Sequence, residues 1–165
     1  MVHINHILVP TDFSSTSDAA LDYARALAAR FGASLHLLHV IQDPFLSGPL
    51  VAEAYVTETP GVRTTIMDDA KARLAHRLTA RDRDTFAAHA EVVFGRDAET
   101  IVDYAADRGV DLIVMGTHGR TGMAHLLLGS VAERVVRTAH CPVLTVRAVP
   151  QAVEMPVTAR VAEAT

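Results

Sequence analysis

The sequence predicts an α/β fold with an open, mainly parallel sheet and helices on both of its faces. Short apolar runs alternate with segments of helical periodicity, giving the order β-α-β-α-β-α-β-α-β. The runs at residues 6–9, 34–41 and 110–115 are nearly continuous in apolar residues, which is typical of parallel strands buried on both faces. The length of 165 residues fits one such domain, expected at residues 1–147, followed by a tail at residues 148–165.

The first half of the chain is predicted to form two strands and two helices. Pro10 ends the first strand, and residues 14–18 are rich in the residue types that cap helix N-termini. Apolar positions then recur at helical spacing up to Gly32, which is a typical C-terminal stop. Residues 42–62 have no clear period and are predicted to be a lid, a partner surface or a disordered connection. An amphipathic helix is expected over residues 67–78.

The third strand is expected at residues 86–93, as an edge strand. Its His89 and Glu91 share one face because side chains alternate along a strand, so that face should be partly wet. Asp97 is the expected N-cap of the next helix, whose apolar positions fall at residues 101–106.

The last helix and strand are predicted from two local signals. Ser130 and Glu133 fit a capping box that opens a helix reaching Arg137. The fifth strand is expected at residues 142–147, with Pro142 at its first position, where a missing N–H group is tolerated.

Composition and charge exclude several classes of function. The net charge of −4 argues against a nucleic-acid partner, which usually meets a basic face. Cys141 is the only cysteine, so neither an intrachain disulfide nor a cysteine metal cluster is expected. His36 and His39 are three apart on a strand and should point to opposite faces, so no metal site is predicted from protein side chains. No apolar run approaches the ~20 residues of a membrane span, and residues 1–10 do not resemble a secretory signal, which predicts a soluble, cytoplasmic protein without a membrane partner.

Two loops are candidates for a ligand site. In open α/β sheets, ligands bind beyond the carboxyl ends of the strands, where the strand order reverses. Residues 10–12 follow the first strand, and the glycine-rich segment GTHGRTGMAHLLLGS at residues 116–130 follows the fourth. If these two strands are neighbours, the two loops face each other across one crevice.

The glycine-rich segment has two readings. In the first, Gly116 and Gly119 adopt positive φ and let the backbone approach a phosphate, while Gly129 and Ser130 begin a helix whose N–H groups favour an anion and Arg120 supplies charge. In the second, the glycines only make turns and Ser130 only caps its helix. The Walker G-x-x-x-x-G-K-[ST], the dinucleotide G-x-G-x-x-G after the first strand and the hydrolase G-x-S-x-G are all absent.

The spacing of Gly116, Gly119, Gly129 and Ser130 resembles the G-x2-G-x9-G-[ST] signature of the universal stress protein family, in its ATP-binding branch. The blocks ILVPTDFS, DLIVMGTHGRTG and CPVLTVR are also similar, and the resemblance covers residues 3–147. It implies a Rossmann-like, doubly wound, five-stranded parallel sheet of order 3-2-1-4-5, with an adenine nucleotide at the switch point.

The resemblance also implies what surrounds the nucleotide. Asp12 would contact the adenine or ribose, Val40 would pack on the base, and Ser130 would lie at the phosphates. Mg²⁺ or Mn²⁺ would be held mainly by phosphate oxygens, and a homodimer would form through the last strand, Val143–Val146. With Arg120 included, the residues expected at the nucleotide are Pro10, Thr11, Asp12, Val40, Met115, Gly116, His118, Gly119, Arg120, Gly129, Ser130 and Val131.

Three functions fit these observations. The first is an ATP-binding regulatory switch of the stress response, with slow hydrolysis at most, because the Walker lysine and an obvious base near the phosphate loop are both missing. The second is an ATP-dependent hydrolase or transferase that uses His118 or Asp12. The third is a dimeric interaction module whose pocket holds no nucleotide.

Overall fold

The computed structural model describes residues 3–42, 61–117 and 128–147. Their strands are β1 (His6–Pro10), β2 (Ser34–Gln42), β3 (His89–Gly95), β4 (Leu112–Gly116) and β5 (Val143–Val146). Their helices are α1 (Ser15–Phe31), α2 (Val62–Arg77), α3 (Ala80–Phe86), α4 (Asp97–Asp107) and α5 (Ser130–Thr138). The predicted tail and residues 43–60 of the predicted connection lie outside the described residues.

The five described strands form one parallel sheet of order β3-β2-β1-β4-β5, which confirms the predicted fold class and strand order. Alternate residues of the central strands enter different cores: Ile7 and Val9 face α1, α2 and α3, whereas Leu8 faces α4 and α5. The helices thus cover both faces of the sheet. No helix within the described residues is long and apolar enough to cross a membrane.

The start of α1 agrees with the sequence, whereas the start of α4 does not. Ser14 is the N-cap of α1, with its hydroxyl accepting a hydrogen bond from the Ser17 N–H group, and Gly32 ends the helix at a φ of 70°. The N-cap of α4 is Arg96, and the expected cap, Asp97, is the first helical residue. The Asp97 carboxylate instead accepts a 2.7 Å hydrogen bond from the Gln42 amide at the end of β2.

The third strand begins later than predicted because a short polar helix, α3, precedes it. Phe86 ends α3, and the edge strand β3 begins at His89. A capping box between Thr79 and Asp82 opens α3. The buried Asp82 carboxylate also accepts hydrogen bonds of 3.0 and 2.8 Å from the Arg25 guanidinium of α1. This long-range ion pair, together with its own local cap, explains a helix that lacks an apolar period.

Three histidines meet at the amino ends of the strands on the α4 side of the sheet. His36 of β2 lies between His6 and His89, with ring centroids 6.0 and 5.7 Å away. The Nδ1 atom of His36 lies 3.3 Å from the hydroxyl oxygen of Tyr104 on α4. His36 is buried, whereas His6 and His89 are exposed.

This environment lowers the pKa of His36. Burial is the largest cause, and the positive potentials of His89, His6 and Arg108 act in the same direction. The Glu91 carboxylate opposes them but does not reverse the shift. A His36 pKa below its unfolded value of about 6.5 means that the folded protein binds this proton less readily than the unfolded chain.

We therefore expect the free energy of unfolding to fall as the pH decreases below about 6.5, because the unfolded chain gains the His36 proton first. This stability is fully present above the unfolded pKa and is lost as the pH falls through the folded one. His36→Gln retains a hydrogen-bonding side chain that cannot titrate, so urea unfolding of this variant should show a shallower decline with acid. The exposed His76 of α2 provides the control, His76→Gln. Equal pH slopes for both variants and the parent would show that His36 does not cause this loss of stability.

Candidate functional site

A cavity of about 540 Å³ opens beyond the carboxyl ends of β1, β2 and β4. It lies where the strand order reverses, because β1 pairs with β2 on one side and with β4 on the other. Its volume falls within the ~300–1,000 Å³ typical of small-molecule sites. The cavity therefore stands where the sequence placed a ligand.

Of the twelve residues predicted at the nucleotide, nine line this cavity. They are Pro10, Thr11, Asp12, Val40, Met115, Gly116, Gly129, Ser130 and Val131. The other three, His118, Gly119 and Arg120, lie outside the described residues. The structure thus brings the nine into one place, while their contacts with a ligand stay predictions.

Hydrogen bonds fix the loop between β1 and α1. The Thr11 N–H group donates to the Leu38 carbonyl at 2.8 Å, which ties the loop to β2. The half-buried Asp12 accepts a 3.0 Å hydrogen bond from the Ser14 N–H group through Oδ1. Since Ser14 is the N-cap of α1, Asp12 is not the cap of this helix, and its carboxylate lies in the wall of the cavity.

Phe13 has a left-handed backbone, with a φ of 67°. This conformation brings Cβ close to a carbonyl oxygen and costs roughly 1–2 kcal/mol for a residue other than glycine. The Phe13 N–H group donates to Thr11 Oγ1 at 3.1 Å, and the ring packs near His39, with the ring centroids 4.3 Å apart. Nothing in the sequence distinguished Phe13, and a phenylalanine gives no local signal of positive φ.

A hydrogen bond holds together the two described ends of the glycine-rich segment. The Gly129 N–H group donates to the Thr117 carbonyl at 2.7 Å, so both ends of the segment are joined beside the cavity. Gly129 is the N-cap of α5, and Ser130 is its first helical residue. The predicted capping box is therefore wrong: the extended backbone of Gly129 sets the cap one residue earlier, and no side chain caps α5.

The start of α5 presents backbone donors to the cavity. The first intrahelical hydrogen bond of this helix runs from the Glu133 N–H group to the Gly129 carbonyl, at 2.8 Å. The N–H groups of Ser130, Val131 and Ala132 precede it and have no acceptor within the helix. All three residues line the cavity. Such a helix start, with its positive end of the dipole, is a favourable site for an anion.

Gly116 is needed for a different reason from the predicted one. It is not among the described residues with positive φ, so the predicted conformation is wrong. A Cβ atom at Gly116 would lie 2.8 Å from Thr16 Cγ2 and 3.2 Å from the Thr16 backbone carbon. The absent side chain lets the end of β4 pack against the start of α1, while Gly116 also lines the cavity.

One wall of the cavity comes from α2, which the sequence reasoning missed. Ile66, Asp69, Ala70 and Arg73 line it, and the Arg73 guanidinium lies 4.0 Å from the Asp69 carboxylate. These positions follow the i, i+3, i+4, i+7 spacing of one helical face. That spacing was a usable signal for a shared face, but it did not indicate that the face borders a ligand cavity.

The side chains around the cavity determine whether the protein itself could hold a metal ion there. Asp97 and Gln42 complete the polar lining beside β2. His39 also lines the cavity, and its Nδ1 atom must be the donor to the Thr11 carbonyl, 2.7 Å away, because a carbonyl only accepts. His36 lies on the opposite face of β2, as predicted. Within the part of the chain that the structure describes, no group of three or more His, Cys, Asp or Glu residues could hold a metal ion.

The fold and the cavity define an open, doubly wound α/β protein with a ligand-sized site at its switch point. The family model described as the Universal stress protein family matches residues 3–147. The chain belongs to the universal stress protein family, which confirms the resemblance seen in the sequence.

Relatives of known name and structure agree with this membership. Universal stress protein MJ0531 from Methanocaldococcus jannaschii is 34% identical over 142 residues, which cover 86% of this chain and 81% of the relative. The solved structure of MJ0577, from the same organism, is similar with a TM-score of 0.76 and 33% identity, covering 90% of this chain and 99% of that one. A universal stress protein solved in complex with cAMP is similar with a TM-score of 0.55 and 27% identity, covering 88% and 98% of the two chains.

The packing at Gly116 generates a prediction about stability. We expect Gly116→Ala to lower the free energy of unfolding by about 1–3 kcal/mol, because the new methyl group overlaps Thr16. Adding Thr16→Ser removes Cγ2 and should restore part of that loss in urea unfolding. Thr16→Ser alone is the control for its own cost. If Gly116→Ala is as stable as the parent, β4 does not depend on this close approach.

Proposed function

We propose that this protein binds an adenine nucleotide, ATP with Mg²⁺ or Mn²⁺, in the switch-point cavity and acts as a stress-response switch that hydrolyses ATP slowly at most. The observation that carries the proposal is the combination of lining groups in one cavity. Val40 and Met115 offer apolar surface for a base, whereas the first N–H groups of α5 offer donors for phosphate. The relative solved with cAMP supports an adenine nucleotide as the class of ligand.

The charges in the cavity support a cation that accompanies the phosphates. The lining residues that the structure describes include three carboxylates, on Asp12, Asp69 and Asp97, and one guanidinium, on Arg73. A polyphosphate would be repelled by such a wall unless its charge is reduced. Mg²⁺ typically binds through phosphate oxygens, water and one or two carboxylates rather than through a full set of protein ligands. This donor set fits a cation that arrives with the nucleotide.

The groups around the cavity support nucleotide binding rather than phosphoryl transfer. Efficient transfer requires a charge clamp, metal ions and a group that orients the nucleophile, all placed together. The sequence has one lysine, Lys71, and it lies in α2 rather than in a phosphate loop. Among the lining carboxylates, Asp12 is engaged by the Ser14 N–H group and Asp97 by the Gln42 amide. These engagements support a fixed binding wall.

Two substitutions should separate the base end of the cavity from its phosphate end. We expect Asp12→Asn to weaken the binding of both ATP and adenosine by about tenfold, since a hydrogen bond to a charged group is lost while the amide oxygen can still accept from Ser14. Ser130→Ala should weaken ATP binding but leave adenosine binding unchanged, because adenosine has no phosphate. Titration calorimetry in the presence of Mg²⁺ measures the affinity of each variant for ATP and for adenosine.

The matched control is Asp103→Asn, which removes an exposed carboxylate from α4 away from the cavity. Its affinity for ATP should equal that of the parent. If the parent protein binds neither ATP nor adenosine at concentrations of about 1 mM, the proposed function is wrong. Single-turnover hydrolysis well below ~1 s⁻¹ supports the switch, whereas turnover at or above that rate favours the hydrolase or transferase.

We also propose a homodimer that forms through β5. This strand is an edge of the described sheet, so one row of its backbone groups faces outward. Leu144 of β5 and Val136 of the adjacent α5 are exposed by 38% and 46%. An apolar edge strand of this kind suits self-complementary pairing about a two-fold axis.

For the dimer, Leu144→Lys is expected to give a monomer in light scattering, because it puts a charge into the apolar edge. Ile66→Lys makes the same change at an exposed apolar residue of α2, which packs against β2 and β3 at the opposite edge of the sheet, and it should leave the mass of the parent. A Leu144→Lys protein that keeps the mass of a dimer excludes this interface.

A further inference from the structure

Phe13 connects three parts of the molecule without lining the cavity. It follows Asp12 in the loop between β1 and α1, and it packs against the apolar cluster between the sheet, α1 and α2. Its neighbour Asp12 lines the cavity, whereas Phe13 itself does not. Its ring therefore belongs to the support behind the cavity wall.

Two arginines of α2 and one histidine of β2 hold the phenyl ring. The Arg73 guanidinium lies over the ring, 4.1 Å from its centroid, and the Arg77 guanidinium lies at 5.3 Å. The His39 ring contacts it from β2, with a centroid distance of 4.3 Å and an interplanar angle of 42°. Arg77 also donates a 3.3 Å hydrogen bond through Nη2 to the Phe13 carbonyl. Both the ring and the backbone of Phe13 are thus tied to α2.

These contacts join residues that do line the cavity. Arg73 and His39 touch the Phe13 ring, and Asp12 is its covalent neighbour. The left-handed backbone of Phe13 persists only where the surroundings hold it, since the conformation is unfavourable on its own. The ring contacts supply that restraint, and they set the position of the Asp12 loop relative to α2.

We propose that Phe13 is a positioning residue for the nucleotide: it holds Asp12 and Arg73 at a fixed separation, so affinity depends on a ring that does not touch the ligand. The inference rests on the proposed function. Without the ring, the loop and α2 occupy arrangements that do not bind, and the apparent affinity falls with the fraction of molecules in the binding arrangement.

The same helix offers a matched control. Arg63 of α2 lies over the ring of Phe94 on β3, and the distance to the centroid is again 4.1 Å. Neither Arg63 nor Phe94 is among the residues that line the cavity. Phe94→Leu therefore removes an equivalent contact between α2 and the sheet, at a place where it cannot align Asp12 with Arg73.

The first test compares Phe13→Leu with Phe94→Leu in titration calorimetry with ATP and Mg²⁺, after circular dichroism has given the folded fraction of each variant. We expect Phe13→Leu to bind ATP about tenfold more weakly than the parent and Phe94→Leu to bind within about twofold of it. Equal losses in the two variants would mean that α2 only needs to be docked, which overturns the proposal. So would parental affinity in Phe13→Leu.

The second test can still overturn the proposal if Phe13→Leu folds poorly. Arg73→Lys keeps the charge on a half-exposed side chain but loses the planar group over the ring, and it should weaken ATP binding about threefold. Parental affinity in this variant overturns the proposal. Where Phe13→Leu folds, the double variant should bind no more weakly than Phe13→Leu alone. Additive losses would show that Arg73 acts on the nucleotide independently of Phe13. Failure of the parent to bind ATP refutes the proposed function instead.

Discussion

The pairing of β1 with β4 determines where the cavity forms. From β1 the chain crosses to β2 through α1 on one face, and from β4 it crosses to β5 through α5 on the other face. The two connections diverge and leave a crevice between them. At the opposite end of the same strands, the Asp111 carboxylate accepts hydrogen bonds of 2.7 and 3.0 Å from the Asn5 and His6 N–H groups. These bonds fix β1 against β4, so the loops at the cavity end meet in a defined register.

Elements that depend on local chemistry were predictable from the sequence, and elements that depend on distant partners were not. The apolar runs of β1, β2 and β4 and the stop at Gly32 follow from residue type and spacing alone. The helix α3 does not, because Asp82 relies on Arg25, which lies 57 residues away in the chain. The caps at Asp97 and Ser130 were displaced by one residue, since a capping motif records which side chains can cap and not which backbone turns first.

The candidate site divides in the same way. Residues of the two loops, such as Asp12 and Ser130, were predictable because each loop directly follows a strand in the sequence. The α2 wall was missed because Arg73 reaches the cavity only through the packing of α2 on the sheet. At Gly116 the predicted residue is right but its structural reason differs: glycine is needed because a side chain would overlap Thr16, and not because the backbone has a positive φ. Sequence spacing identified the position, and only the packing supplied its reason.

Under the proposed function, the start of α5 and the α2 wall contribute differently to a switch. The phosphate end is built from backbone N–H groups of α5, whose geometry is fixed by the helix and is the same for any polyphosphate. The wall formed by α2 is a different part of the cavity, and it is joined to the Asp12 loop through Phe13. A ligand shifts a conformational equilibrium only by its differential affinity for the two states. The α2 wall is therefore where nucleotide binding can change the surface of the protein, and such a change requires nucleotide binding and release but no hydrolysis.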